Sequence, residues 1–173
     1  MKIFGLAGWS GSGKTTLLKR LLPELIGRGY AVSTVKHAHH NFDIDKPGKD
    51  SFEHRRAGAT EVMVSSANRW ALMHESRDTP ELNLEALVAR MSPVDLLLVE
   101  GFKRDSHAKL EIHRPSVGKD LLCLDDPCIV AVASDEALPK VCIPVLNLDD
   151  VPTIANFILA HVGLMRSVSL GAA

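Results

Sequence analysis

Gly8-Trp9-Ser10-Gly11-Ser12-Gly13-Lys14-Thr15 brings glycines, hydroxyls and one lysine into a single short segment near the start of the chain. It fits G-x-x-x-x-G-K-[ST], and the chemistry of that pattern is the holding of phosphate. Glycine adds nothing to a core and costs conformational entropy on folding. What it permits is the convergence of main-chain N–H groups on anionic oxygens with no Cβ in the way. A helix that follows supplies more free N–H groups and the positive end of its dipole. In this reading Lys14 bridges the terminal phosphates and Thr15 ligates Mg²⁺ through its hydroxyl, while Gly8, Ser10, Gly11, Ser12, Gly13 and Thr16 complete the binding segment.

A magnesium-bound nucleotide also needs an acid at the exit of a buried strand, holding the metal's water shell. The aliphatic run at 94–100, VDLLLVE, supplies Glu100 there. Asp95 stands at the entry and is assigned to capping or structure, because ligands of an open α/β sheet gather beyond the carboxyl ends of its strands. Glu100 departs from the usual aspartate; it is the second candidate metal ligand and, with Asp45, a candidate catalytic carboxylate.

Residues 37–56 are polar and irregular, with four histidines (His37, His39, His40 and His54) among acids and lysines. A stretch of this length is usually functional or mobile. Lys36 and Lys49 suit the phosphate of a second anionic ligand, Asp45 or Asp50 suits Mg²⁺ or its water, and Arg55 or Arg56 completes an anion clamp. H-x-H beside carboxylates also suits Zn²⁺ or Ni²⁺, although no second, well-separated ligand pair closes a tetrahedron, and a merely solvated loop is the third reading. Lys103 faces either a ligand or water, and Arg114 is either an anion contact or a surface strand end. For the base, VAVASD places Asp135 just past a strand, where a carboxylate accepts the N1–H and amino group of guanine. Val132 and Ala133 replace the asparagine and lysine of N-K-x-D; Asn147, Asp149 and Asp150 form an alternative cluster whose other explanation is helix capping.

These residues need a scaffold, and alternating apolar patterns provide one. KIFGLA at 2–7 reads as a strand, and the next segment carries Leu17, Leu18, Leu21, Leu22, Leu25 and Ile26 on one helical face, with Pro23 inside it. YAVSTVK at 30–36 closes a β-α-β unit, parallel by the crossover rule. TEVMVSS (60–66) and RWALMHE (69–75) form a hairpin, 82–91 a helix, and 94–100, 108–114, 128–134 and 143–148 further strands. A closing helix capped by Asp149 or Asp150 buries Ile154, Phe157, Ile158 and Val162. The expected class is therefore α/β: a mostly parallel sheet of P-loop NTPase type with flanking helices and an antiparallel hairpin elaboration. One nucleotide-binding domain spans 1–165, with a frayed tail at 166–173.

Composition narrows the function. A net charge of −1 argues against electrostatic gripping of nucleic acid. No apolar run is long enough to span a bilayer and the first residues are not a signal peptide, so a cytoplasmic protein without a membrane partner is expected. Cys123, Cys128 and Cys142 form neither a disulfide framework nor a zinc ribbon and are read as buried or partly buried free thiols.

Together, GWSGSGKTTL, VKHAHHNFDIDKPGKDS, HRRAGA and LLLVEGFK resemble the molybdopterin-guanine dinucleotide biosynthesis adapter proteins, the MobB family of P-loop GTP-binding proteins, over residues 1–150. The specific part is Lys36 to Ser51, followed by Arg55, Gly58 and Ala59. The resemblance implies a GTP-binding, weakly GTP-hydrolysing homodimer that assists the guanylyltransferase MobA in joining GMP to the molybdenum cofactor, as adapter or carrier rather than transferase. The preference for GTP rests mainly on this likeness. Two other classes share the P-loop: a small-molecule kinase with 37–56 as its lid, and a metal-insertion GTPase that uses the histidines.

Overall fold

The computed structural model describes residues 1–38, 42–103 and 105–165. Along the chain run β1 (Lys2–Ala7), α1 (Lys14–Gly27), β2 (Val32–Lys36), α2 (Asp50–Arg56), β3 (Glu61–Ser65), β4 (Trp70–His74), α3 (Leu84–Val88), β5 (Leu96–Glu100), β6 (Lys109–His113), β7 (Ile129–Ser134), β8 (Val145–Asn147) and α4 (Val151–His161). Short 3₁₀ turns at Pro115–Val117 and Leu122–Leu124 lie between β6 and β7. The span expected as one domain comprises two compact units, Met1–His37 with Ser92–Ala173, and Ala38–Met91. The expected frayed tail lies outside the described residues.

In the first unit every strand pairing is parallel and the order is β2-β5-β1-β6-β7-β8. The chain leaves β1 towards β2 on one side and leaves β6 towards β7 on the other, so the exits of these two neighbours diverge. Such a switch point opens a crevice beyond the carboxyl ends of the strands. One face of the sheet is dry: Phe4, Leu6, Leu96, Leu98, Leu110, Ile112, Ala131 and Ala133 share a core with Leu17, Leu21 and Leu25 of α1 and Ile154, Ala155 and Ile158 of α4. The apolar stripe of α1 ends at Leu25. Ile26, expected on that face, is 56% exposed, because one residue further turns it about 100° around the helix.

Side chains alternate along a strand, so Lys109, Glu111 and His113 of β6 share the opposite face, and all are buried. Glu111 has no exposed surface; its Oε1 accepts the Leu122 N–H at 2.8 Å and Oε2 the Cys123 N–H at 2.9 Å, which ties the 3₁₀ turn to the sheet. The Lys109 ammonium donates to the Asp105 carbonyl (2.6 Å) and the Asp126 carboxylate (3.1 Å). Asp95 is structural, as expected, and accepts the Ala31 N–H at 2.8 Å. Asp150, not Asp149, caps α4 through the Thr153 N–H and hydroxyl.

The second unit holds the hairpin β3–β4, with Glu61 opposite His74 and Ser65 opposite Trp70. Part of the stretch expected to be irregular, residues 50–56, is the helix α2. It buries none of its residues, so it has no apolar period to detect; Asp50 and Glu53 in its first turn and His54, Arg55 and Arg56 in its last match the helix dipole instead. The helix expected over 82–91 contracts to α3, capped by Asn83, which accepts the Ala86 N–H at 2.8 Å. All three thiols are free; Cys123 and Cys128 are half-buried, whereas Cys142 is exposed, contrary to expectation. Burial and the Glu111 carboxylate push the Cys123 thiol up to about 11, so it stays protonated near neutrality.

Both ring nitrogens of His107 are buried without a partner among the described residues, and burial, reinforced by Lys109, lowers its pKa. The folded protein therefore holds it neutral, while the unfolded chain takes up a proton below about pH 6.5. Stability is full above that pH and falls as pH drops through it. Urea titrations at about pH 7.5 and about pH 5.5 should show a lower unfolding free energy at the acid end. His107→Leu should lose less over the same interval.

Candidate functional site

Beyond Ala7 the chain turns through Gly8–Gly13 before α1 begins. Gly8, Gly11 and Gly13 have φ of 143°, 83° and 96°. A Cβ added at Gly8 would stand 2.5 Å from the Ile112 carbonyl oxygen and 2.7 Å from Ser12 Oγ, so the loop can lie against β6 only with glycine here. Gly13 is the N-cap of α1 in the left-handed region, and no side chain caps the helix, so its first N–H groups face the loop's concavity unclaimed by a cap. Ser12 Oγ is buried without a partner among the described residues. An orphaned hydroxyl among convergent N–H groups fits an anionic oxygen ligand.

Lys14 folds over the loop, its ammonium donating to the Gly8 (2.9 Å) and Trp9 (2.8 Å) carbonyls. Burial lowers its pKa; Glu100 opposes that shift, and Lys103 and Lys36 reinforce it. Four expected site residues thus converge electrostatically. Glu100, at the exit of β5, lies 3.8 Å from the Lys36 ammonium at the exit of the adjoining β2, and its carbonyl accepts the His37 N–H at 2.8 Å. The turn after Glu100 is constrained: Gly101 has φ 98°, and a Cβ there would stand 2.7 Å from that of His37. Phe102 has φ 48°, with its ring 4.9 Å from the His37 ring. Strained backbone of this kind persists only where the surroundings over-determine it. Thr15, Thr16, Ser10 and Gly11 are at the surface, at the start of α1 and the tip of the loop.

Trp9 and Lys119 form a contact that the sequence alone does not signal. The Lys103 and Lys119 ammonium groups lie 4.8 and 5.9 Å from the centre of the Trp9 ring, and Trp9 Nε1 donates to the Asp120 carbonyl at 2.8 Å. On the other side, Asp135 at the exit of β7 pairs with Arg114 at the exit of β6. Asp135 also lines a cavity of about 430 Å³ with Ser134, Leu138, Pro139, Leu146 and Asn147. Of the alternative base-side cluster, only Asn147 borders that cavity; Asp149 pairs with Arg20 at 2.9 Å, and Asp150 is the α4 cap.

Asp45, Lys49, Asp50 and Arg55 belong to the second unit. There the Asp45 carboxylate is buried and accepts from Arg55 at 2.8 and 3.2 Å, while Asp43 accepts from the same guanidinium at 2.7 Å and Glu75 lies 3.6 Å away. The Asp45 hydrogen bonds raise the pKa of Arg55. Lys49 precedes α2 and Asp50 opens it. The expected roles of His39 and His40 fall outside the described residues. Among the described residues no group of three or more His, Cys, Asp or Glu side chains is placed to hold a metal ion.

A parallel sheet with diverging exits, a glycine loop closing on a helix N-terminus, and a lysine beside a strand-end acid define an α/β domain of P-loop NTPase type. The chain belongs to the family described as molybdopterin guanine dinucleotide synthesis protein B, MobB, whose model matches residues 3–135. It is 46% identical over 162 residues to the molybdopterin-guanine dinucleotide biosynthesis adapter protein of Escherichia coli strain K12, with 91% of each chain covered. It is 41% identical to the adapter protein of the same description from Haemophilus influenzae, over 90% of this chain and 86% of the relative. A crystal structure of molybdopterin-guanine biosynthesis protein B matches with a TM-score of 0.72 at 27% identity, covering 92% of this chain and 99% of its own. The Bacillus subtilis MobB structure, at 23% identity and a TM-score of 0.71 over 94% and 98% of the two chains, supports the fold alone.

A Cβ at Gly11 would meet nothing within 4 Å, which makes Gly11→Ala the natural control for Gly8→Ala. Gly8→Ala should lower the unfolding free energy by about 1–3 kcal/mol and weaken triphosphate retention more than Gly11→Ala does. Urea denaturation and filter binding of labelled nucleotide measure the two effects. Equal behaviour of the two variants would contradict the close approach to Ile112.

Proposed function

We propose that this protein is a GTP-binding adapter in molybdenum-cofactor maturation that assists a MobA-type guanylyltransferase in joining GMP to molybdopterin and hydrolyses GTP slowly. The observation that carries the reading is the P-loop itself, with its glycine approach to β6 and its orphaned Ser12 hydroxyl, in a chain of the MobB family. On binding, Lys14 exchanges two carbonyl partners for phosphate oxygens, and Lys36 and Lys103 add positive charge. Thr15 and Glu100 are hard oxygen donors that would hold Mg²⁺, and the ion would supply positive charge against the phosphates. His37 braces the turn behind Glu100, and Asp135 accepts the guanine N–H groups from the wall of its cavity. Lys49, Asp50 and Arg55 are retained as ligand contacts of the second unit, with Asp45 acting through Arg55 rather than as an unpaired carboxylate.

Slow hydrolysis has support in composition: the sequence contains no glutamine, the side chain that commonly orients the attacking water in GTPases. On the hairpin, Met63, Trp70 and Leu72 are 61%, 66% and 45% exposed, and alternation puts them on one face. This is support for homodimerisation or for docking of the transferase there. Among the described residues no helix is long and apolar enough to cross a membrane, which fits the cytoplasmic adapter proposed here.

Lys14→Ala should weaken GTP binding by about 10–100-fold with the fold intact, the loss of one or two charge-assisted hydrogen bonds. Calorimetric titration with GTP and ATP in the presence of Mg²⁺ measures it. Wild type should prefer GTP, and equal affinity for the two nucleotides would overturn the guanine assignment.

A further inference from the structure

We propose that Arg114 is a specificity-determining residue that joins the two ends of the nucleotide site, fixing Asp135 for the base with one edge of its guanidinium and presenting the other edge to the phosphate cradle. The inference rests on the reading of the P-loop and of Asp135 given above. Arg114 is the first residue beyond β6, and β6 and β1 are the neighbours whose exits diverge, so the P-loop and Arg114 emerge on the two sides of the switch-point crevice.

The side chain spans that crevice. Its Nη1 pairs with Asp135 Oδ2. Its Nε and Nη2 lie 3.4 and 3.8 Å from where a Cβ on Gly13 would stand, at the mouth of α1 where unpaired N–H groups gather. Both partners are partly buried, at 32% and 26% exposure, unlike an exposed pair that rotates freely in water. The main chain beneath is held as well. The Arg114 carbonyl accepts the Val117 N–H at 3.0 Å, and Glu111 pins Leu122 and Cys123 to the sheet.

An ionised carboxylate offers about four lone-pair directions, so Asp135 can serve Arg114 with one and still accept two N–H groups of a guanine. Arg114 orients that carboxylate. Its planar fork makes this possible with a second edge to spare, whereas the ammonium of a lysine is a point charge and cannot hold both directions. Base recognition and phosphate binding are thus coupled through a single side chain.

Affinities of guanosine, GMP, GDP, GTP and ATP are measured by calorimetry for wild type, Arg114→Ala, Arg114→Lys, Asp135→Asn and the Arg114→Ala/Asp135→Asn double variant, with thermal melting as the control on folding. Arg114→Ala should bind ATP about tenfold more weakly, from the lost phosphate contact, and GTP about 100-fold more weakly, a loss of about tenfold in GTP-over-ATP discrimination. Arg114→Lys should keep most of the gain in affinity from guanosine to GTP but lose discrimination, which keeps the proposal testable should the alanine variant unfold. The double variant should discriminate no worse than Asp135→Asn alone. A fall in GTP and ATP affinity by the same factor, additive losses of discrimination, or wild-type behaviour of both Arg114 variants would overturn the role of Arg114. Wild-type protein that does not prefer GTP would instead overturn the underlying reading.

Discussion

The first turn of the glycine loop lies against the sheet so closely that no side chain fits between them. The Ile112 carbonyl occupies the space a Cβ on Gly8 would need, and that contact sets where the loop departs from β1. Much of the site follows from this departure. It aims the loop's N–H groups into the crevice at the β1–β6 switch point, buries the Ser12 hydroxyl, and brings Gly13 beside Arg114. The two faces of the sheet are filled differently, one by aliphatic packing under α1 and α4, the other by Leu97, Val99 and Val132 together with the buried polar groups of β6. Glu111 is the clearest of these, since its two hydrogen bonds hold the segment that carries Lys119 and Asp120 to Trp9.

Electrostatics in the site are deliberately unbalanced. Lys14 is repelled by Lys103 and Lys36 and attracted by one strand-end acid, Glu100, and partial burial makes its positive charge harder to sustain. A polyanion would relieve that repulsion, which is why a cluster of this kind is a binding site rather than a stabilising feature. In the second unit the excess runs the other way: one guanidinium, Arg55, is shared among three carboxylates, Asp43, Asp45 and Glu75.

How much of this was legible in the sequence depends on whether a residue's role is local. The P-loop, the strand-end position of Glu100, the structural role of Asp95 and all eight strands followed from motif and period, because glycine patterns and aliphatic alternation encode local geometry. Helix α2 did not, since a helix with no buried residue leaves no apolar period. The burial of Lys109 and Glu111 was hidden because alternating polar residues suggest a wet face, whereas here the 115–128 connection covers it with N–H donors and Asp126. Arg114 was visible only as a basic strand end; its pairing with Asp135 spans 21 positions and depends on strand order, which pattern reading does not supply. Ile26 shows the opposite error, an apolar residue placed on a face that the helix had already turned away.

The most direct measurement is a crystal structure of the protein with Mg²⁺ and a non-hydrolysable GTP analogue. Expected are phosphate oxygens within hydrogen-bonding distance of the main-chain nitrogens of the glycine loop and the start of α1, Lys14 drawn off the Gly8 and Trp9 carbonyls, and guanine in the cavity bordered by Asp135 and Asn147. Nucleotide bound elsewhere, or bound with the lysine still on those carbonyls, would contradict a phosphate cradle built from bare backbone.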